Sequence, residues 1–352
     1  IHIYKAHIAL KLGVGDRAVA VRMLPCPVTG ALFGFGDDFH RGSDFAFSGM
    51  SARVRSIRRD YADGSCGYFV AYPGTNAVTL ACSFAVKGRF PELWDAESGR
   101  RFRLAAFREE NGRTFLDLPL DPCGSAFVYF ASKANTTLPL YRPLAIAQSN
   151  NPNNRTISSF TLTFPDGWNC GGPYTLDRLV SWTTLGGEAQ YFSGTAVYET
   201  TLDLNQAIEQ SNNPNNRTIL LDLGDVRETA EVFLNGRSVG ILWKPPYRLD
   251  LTAALRSIEQ SDNPNNRTIS LRIAVANSWA NRLIGDAKKP DDCVWWENDW
   301  RAGLLKEIPA WVKEGKPSPT GRHTFSIVRH YKGTEPLIPA GLLGPVRLIA
   351  VE

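Results

Sequence analysis

Apolar and polar residues alternate over short runs along most of the chain, and turn-forming dipeptides separate the runs. The clearest stretch is 191–252, where YFSGTAVYETTLDL is followed by ILLDLGDVRETAEVFLNGRSVGILWKPPYRLDLT. Asn235-Gly236 and Pro245-Pro246 interrupt it. An alternation with a period of two, cut by such turns, is typical of antiparallel strands. The pattern predicts an all-β protein.

A first set of strands predicts a small β-sandwich over 51–135. Its strand-like runs are VRSIRRDY, GYFVAYP, AVTLACSFAV, FRLAAFREENGRTFLDLPL and GSAFVYFAS. The segment PELWDAESG indicates a turn, with Trp94 at the edge of the core or, as the weaker alternative, as a ring that stacks on sugar. Pro- and Asn-rich residues 133–156 lack periodicity, so we place a domain boundary near 135–140.

The second set predicts a larger β domain over 136–352. Its strand-like runs are ISSFTLTF, SGTAVYETTLDL, TILLDLG, AEVFLNG, RSVGILW, YRLDLT, TISLRIAVAN, HTFSIVRHY and GPVRLIAVE. A long irregular insertion, about 280–320, interrupts them and contains Trp295, Trp296, Trp300 and Trp311. Ordered loops of this length are usually functional or pack as lids. We expect little helix outside this insertion.

Residues 1–50 remain unassigned. The run VTGALFGFGDDFHRGSDFAFSG is typical of a loop, and its Asp37, Asp38, His40 and Asp44 follow no metal-ligand spacing. A solvated loop is therefore favoured over a metal site. The chain begins with Ile1 and shows no signal peptide, which we interpret as the mark of a piece of a longer protein.

A short Asn- and Pro-rich segment occurs three times. QSNNPNNRTI stands at 148–157 and 210–219, and QSDNPNNRTI stands at 260–269. The irregular spacing argues against a solenoid, and the composition favours exposed turns. Because each copy precedes an odd-numbered predicted strand of the second domain, we expect the copies to cluster at one end of it. Each also contains the N-glycosylation pattern Asn-Arg-Thr, which repetition of the segment explains better than glycosylation.

Composition narrows the classes of function. The apolar content of 43% and the charged content of 21% are typical of a soluble globular protein. The net charge of +4 is spread out, which gives no support to a nucleic-acid or membrane role. No apolar run is long enough to span a bilayer. The six cysteines form no CxxC pair, so we expect no metal site and mostly free thiols, although one or two disulfides remain open. GxSxG and P-loop patterns are absent, and we expect no cofactor.

From about residue 53 onward the chain resembles the C-terminal region of glycoside hydrolase family 106, the α-L-rhamnosidases and their relatives. The resemblance rests on long segments in one order, among them VRSIRRDYADGSCGYFVAYP, FAVKGRFPELWDAESG, VANSWANRLIGDAKKPDDC and PAWVKEGKPSPTGRHTFSIVRHYKGTEPLIPAGLLGPVRL. It implies that the second domain is a galactose-binding-like jelly roll. It also implies a catalytic (β/α) barrel upstream in the same polypeptide, a carbohydrate partner such as a rhamnose-containing glycan, and a periplasmic or extracellular location.

Because this chain shows no strand–helix alternation, no catalytic residue is carried over from the family. Five carboxylates could act as acids or bases, but no sequence rule brings two of them together: Glu188, Asp291, Asp292, Glu297 and Asp299. His323 and His330 are seven residues apart, which on a strand places them on opposite faces and argues against a shared metal.

The best candidate carbohydrate site combines aromatic faces with polar groups: Trp243, Lys244, Tyr247, Asn281, Arg282 and Asp286. Arg and Asp suit the two hydroxyls of a vicinal diol. The alternative is structural, with Trp243 capping the core and Arg282 and Asp286 pairing to hold the insertion. We further expect Trp243 and one of Trp295, Trp296 and Trp300 to form a concave patch near 281–286.

The preferred interpretation is a non-catalytic part of a family 106-like hydrolase that supports the barrel and contacts carbohydrate. Two alternatives stay open. One is a free-standing carbohydrate-binding or adhesion module, and the other is an inactive remnant of such a hydrolase.

Overall fold

The computed structural model describes residues 44–48, 54–141, 155–203, 218–260 and 268–351. The protein is all-β, and every pairing between its named strands is antiparallel. It divides into two compact units. Unit 1 holds the described residues up to Leu120 together with Gly124–Tyr141. Unit 2 holds Asp121–Cys123 and the described residues from Arg155 onward.

Unit 1 consists of two sheets, with strand orders β1-β4-β8-β7 and β2-β3-β9-β5-β6. Its strands are β1 Phe45–Ser48, β2 Arg55–Asp60, β3 Cys66–Ala71, β4 Val78–Phe84, β5 Phe90–Asp95, β6 Arg101–Arg103, β7 Arg108–Glu110, β8 Arg113–Leu120 and β9 Ser125–Ala131. Alternate residues of β8 and β9 are buried, as the sequence pattern predicts. Leu80, Leu118 and Val128 are fully buried in the core of this unit.

Two strands of unit 1 differ from the sequence prediction. Phe45–Ser48 was assigned to a loop but forms β1, because Phe45 lies opposite Phe84 and packs on it with ring centroids 5.2 Å apart. The segment PELWDAESG was assigned to a turn, but its first half belongs to β5, where Leu93 faces the core. Asn111-Gly112 forms the turn between β7 and β8, with φ of 50° and 78°.

Unit 2 contains a four-stranded sheet, β10-β23-β14-β18, and a six-stranded sheet, β12-β11-β13-β19-β16-β17, with two-stranded ribbons β15-β22 and β20-β21. Its strands are β10 Arg155–Ile157, β11 Phe160–Thr163, β12 Tyr174–Leu176, β13 Thr195–Asp203, β14 Thr218–Asp222, β15 Asp225–Arg227, β16 Thr229–Leu234, β17 Arg237–Leu242, β18 Arg248–Asp250, β19 Thr268–Ala276, β20 Val294–Trp295, β21 Leu305–Glu307, β22 Gly341–Gly344 and β23 Val346–Val351.

Helices are few among the described residues of unit 2. The α-helices are α1 Thr252–Glu259, α2 Ala280–Ala287 and α3 Ala310–Lys313, and short 3-10 helices cover Trp182–Thr184 and Gly187–Tyr191. Helix α1 lies outside the predicted insertion. It forms because Leu255 is buried against the core while the carboxylate of Asp250 accepts a hydrogen bond from the Thr252 N–H at the first turn.

The predicted strand HTFSIVRHY does not form. Residues 323–331 run irregularly except for one bridge between Leu304 and Val328. The backbone N–H groups of His323 and Thr324 donate to the carboxylate of Asp286 instead of to a neighbouring strand. The argument that His323 and His330 lie on opposite faces of a strand therefore loses its premise.

The strands that follow the three Asn/Pro copies begin at one end of unit 2. Strands β10 and β14 both pair with β23, where Arg155 faces Leu348 and Thr218 faces Val351. Strand β14 continues through β15 to Glu228, whose N–H donates to the carbonyl of Ala276 at the end of β19. Strands β14 and β19 therefore end near each other, and both begin at the opposite end of the unit. The Asn- and Pro-rich parts of the copies lie outside the described residues, so their clustering stays a prediction.

Candidate functional site

Helix α2 carries three of the predicted site residues, and all three are buried. Asn281 binds the backbone of Ile338 twice: its amide N–H donates to the carbonyl at 2.7 Å, and its amide oxygen accepts from the N–H at 2.8 Å. Both polar ends of this side chain are thereby engaged. Asn281 attaches the segment before β22 to the helix.

Arg282 and Asp286 form an ion pair four residues apart on the same helix, with Nη2 and Oδ1 2.8 Å apart. The Arg282 side chain has no exposed surface, and its other Nη donates to Glu188 at 2.9 Å. Asp286 accepts from the N–H groups of His323 and Thr324 and from the Thr324 hydroxyl at 2.7 Å. A buried guanidinium needs such anions, since desolvation of an isolated charge is costly.

The electrostatics follow from this network. Burial would raise the pKa of Glu188, but the hydrogen bond and charge of Arg282 outweigh it and leave that pKa below its ordinary value. Burial and the same guanidinium lower the pKa of His323. The His323 ring stacks on Trp168 with centroids 4.7 Å apart. The arrangement fits the structural alternative, in which Arg282 and Asp286 hold the insertion.

The other three predicted residues follow β17. Tyr247 is buried, and its hydroxyl donates to the carbonyl of Glu228 at 2.8 Å. Lys244 is buried as well, whereas Trp243 is 54% exposed. Since the Glu228 N–H bonds to Ala276, Tyr247 and helix α2 lie at the same end of the six-stranded sheet. No hydrogen bond identified between described residues joins Trp243 or Tyr247 to the three α2 residues.

A cleft opens beside α2, within unit 2. It has a volume of about 300 Å³ and is formed by α2, by the segment from Lys289 to Trp295 and by residues 322–332. Trp295 and Asp286 both line it, as the predicted concave patch requires, but Trp243 does not. Trp300 lies in the same insertion and is 88% exposed.

One wall of the cleft is a triad of side chains. The indole N–H of Trp295 donates to Asp291 at 2.8 Å, and the guanidinium of Arg329 bonds to the same carboxylate oxygen. The guanidinium also lies over the Trp295 ring, 4.9 Å from its centroid. Burial would raise the pKa of Asp291, but these donors outweigh it and lower the pKa. Sequence reasoning missed Arg329 because a predicted strand gave it no link to Trp295.

Four of the five candidate carboxylates face an arginine: Glu188, Asp291, Asp292 and Asp299. Arg322 lies 3.5 Å from both Asp291 and Asp292, and Asp292 also accepts from Thr320 at 3.0 Å. Asp299 pairs with Arg301. Ligand atoms of Asp291, Asp292 and Cys293 lie within 4.8 Å of one another, but the two carboxylates already face the arginines. The donor set therefore gives no independent indication of a metal.

The comparisons with known proteins point to glycoside hydrolases. No family model matches the chain. A putative beta-glucuronidase of Formosa agariphila is 38% identical over 173 residues, which are 49% of this chain and 13% of that protein. A solved rhamnosidase structure from Novosphingobium sp. PP1Y matches with a TM-score of 0.61 and 26% identity, over 87% of this chain and 25% of that one.

The chain thus has a glycoside-hydrolase-like fold, and it spans only a small part of each of these relatives. Within the described residues, no helix is long and apolar enough to cross a membrane.

Proposed function

We propose that the chain is a non-catalytic accessory part of a family 106-like glycoside hydrolase. In this proposal unit 2 is a galactose-binding-like jelly roll, and both units support a catalytic barrel of the same polypeptide and contact its carbohydrate. The supporting observation is the match of 87% of this chain to one quarter of a rhamnosidase. The antiparallel pairing of the named strands agrees with it, since a (β/α) barrel needs parallel strands.

An activity assay tests the non-catalytic part of the proposal. We expect purified 1–352 to leave an aryl α-L-rhamnoside uncleaved under conditions where a complete rhamnosidase turns it over, because glycoside hydrolysis needs one protonated and one ionised carboxyl group. Among the described candidates, Glu188, Asp291, Asp292 and Asp299 each face an arginine, which favours the ionised form of all four. Turnover that Glu188→Gln or Asp291→Asn abolishes would overturn the proposal. A cooperative thermal transition above the assay temperature would verify that each variant is folded.

The second candidate function is a free-standing carbohydrate-binding module, which the exposed Trp243 and Trp300 and the cleft at Trp295 favour. The reading frame upstream of the Ile1 codon separates the two candidates. An in-frame barrel supports the accessory role. A stop codon or an unrelated domain supports the free-standing module.

A further inference from the structure

We propose that the cleft beside α2 binds an acidic saccharide, that is, a sugar bearing a carboxylate or sulfate group. This inference rests on the proposed carbohydrate role and adds the ligand class. The volume of about 300 Å³ lies at the lower end of the range of small-molecule sites. That size suits one or two rings of an oligosaccharide, whose remaining rings would extend into solvent.

Positive charge exceeds negative charge on the walls of the cleft. Its cations are Lys289, Arg322, Arg329 and Lys332, against the carboxylates Asp286 and Asp291. The buried guanidinium of Arg282, outside the wall, offsets the charge of Asp286 at 2.8 Å. A concave site with excess cations raises the local concentration of anions.

The four cations differ in what they already bind. Arg322 donates to the carbonyl oxygens of Pro290 at 3.0 Å and Lys289 at 3.1 Å, which fixes it as part of the scaffold. The ammonium of Lys289 donates to the carbonyl of Gly321 and lies 3.6 Å from Glu188. Arg322 also lies 3.5 Å from Asp291 and Asp292. Carboxylates therefore balance the charge of these two cations, which have few donors left for a ligand.

Arg329 and Lys332 are the groups that would bind the anion. The Arg329 side chain is 48% exposed, while Asp291 and the Trp295 ring hold its guanidinium in place. A positioned guanidinium with free N–H groups suits carboxylate or sulfate oxygens. The Lys332 ammonium has no partner among the described residues. Glu335 is engaged by the backbone N–H groups of Lys332 and Gly333.

The remaining walls suit a sugar better than a simple anion. Trp295, Phe325 and Tyr331 provide apolar faces for C–H groups, and Thr324, Ser326 and His330 provide polar ones. Carbohydrate sites combine such faces because a sugar ring has both C–H and hydroxyl sides. Inorganic sulfate would use only the cations.

The test is binding of trigalacturonate and of galactotriose, its neutral counterpart, to the full chain 1–352, measured by calorimetry at low salt. We expect trigalacturonate to bind at least about tenfold more tightly than galactotriose and to weaken as salt is added. Sodium sulfate, tested as a competitor, should displace trigalacturonate only at concentrations far above its Kd.

Arg329→Met and Lys332→Met should each weaken trigalacturonate binding by about tenfold and change galactotriose binding little. Lys313→Met is the matched control, since Lys313 is an exposed cation that lines no part of the cleft. Thermal unfolding of each variant separates lost binding from lost folding.

Four results would overturn the inference: no binding of trigalacturonate, equal binding of the two sugars, equal displacement by sulfate, or a loss in Lys313→Met as large as in Lys332→Met. None of them bears on the accessory role, which the reading frame and the rhamnoside assay test separately.

Discussion

The two units each contain a Trp–carboxylate–Arg triad with the same contacts but different surroundings. In unit 1 the Trp94 indole donates to Glu92 at 2.8 Å, Arg101 donates to the same oxygen at 2.9 Å, and the guanidinium lies 4.2 Å from the ring centroid. In unit 2, Trp295, Asp291 and Arg329 repeat each of these contacts. Local chemistry alone therefore does not distinguish the two triads.

The backbone distinguishes them. Trp94 and Arg101 are cross-strand partners on β5 and the edge strand β6, so the sheet holds the ring and the guanidinium side by side. Tyr129 stacks on Trp94 with centroids 4.6 Å apart, and Glu92 is only 3% exposed. Trp295 lies on the short ribbon β20–β21, and Arg329 lies on an irregular segment joined to that ribbon at the Leu304–Val328 bridge. A cleft remains beside these segments. The same triad is structural on a sheet and available to a ligand on an irregular insertion.

The largest expected effect comes from Arg282→Met. Arg282 pairs with Asp286, which holds residues 323–324 near the triad of unit 2 (the second triad), whereas the triad of unit 1 (the first triad) should stay intact. Asp286 would remain as a buried carboxylate without its cation, a loss that costs about 3–5 kcal/mol. We expect a lower melting temperature and, by hydrogen exchange, lost protection in peptides from 283–332. Unchanged protection in peptides from 90–131 is the internal control. Equal loss of protection in both regions would contradict independent support.

The next effect compares the two carboxylates directly. Glu92→Gln should lower the free energy of unfolding by about 1.5–3 kcal/mol. The buried amide that replaces the carboxylate carries no charge, so the charge-assisted hydrogen bond from Arg101 is lost. Asp291→Asn should cost less than about 1 kcal/mol, since the Asp291 side chain is 34% exposed. Urea titration measures both. If Asp291→Asn proved the more destabilising, burial would not be what separates the triads.

Much of the fold was predictable from the sequence, because short-range rules govern it. Asn235-Gly236 forms the β16–β17 hairpin with positive φ at both residues, and alternation marked β13 and β19 correctly. The prediction of strand for 323–331 was wrong because alternation cannot tell that Asp286 takes the backbone N–H groups there.

The candidate site was less predictable. Pairing of Arg282 with Asp286 was the structural alternative to a sugar site, and the ion pair exists. Its complete burial depends on Glu188 and on residues 323–324, which are distant in sequence. The contact between Trp295 and Arg329 likewise depends on tertiary structure, and no local pattern specifies it.

A smaller effect should appear in acid. The pKa values of Glu188 and Asp291 lie below their ordinary 4.5 and 3.8, so their contribution to stability is complete above those values. It is lost as pH falls through the lowered pKa values of the folded state. We expect the melting temperature of the parent chain to fall below about pH 4.5. Asp291→Asn should flatten this dependence, and an unchanged slope would show that the second triad does not contribute to it.

The smallest effect concerns thiol reactivity. Burial raises the pKa of Cys82 in the core of unit 1 to about 12, and burial together with Asp292 and Asp291 raises that of Cys293, beside the second triad, to about 11. Cys123 is exposed. With an aromatic disulfide at pH 7.5 we expect Cys123 to react first, Cys293 slowly, and Cys82 only after unfolding. The thiolate is the reactive form, and both solvent access and the thiol pKa limit its reaction.

In Arg282→Met the rate at Cys293 should rise several-fold while Cys82 stays protected. Mass spectrometry of labelled peptides measures each site separately, and a Cys26→Ser background removes the cysteine that lies outside the described residues. Equal acceleration at Cys82 and Cys293 would mean that the two units lose structure together. The triad on the sheet of unit 1 and the triad in the insertion of unit 2 would then not differ in local unfolding.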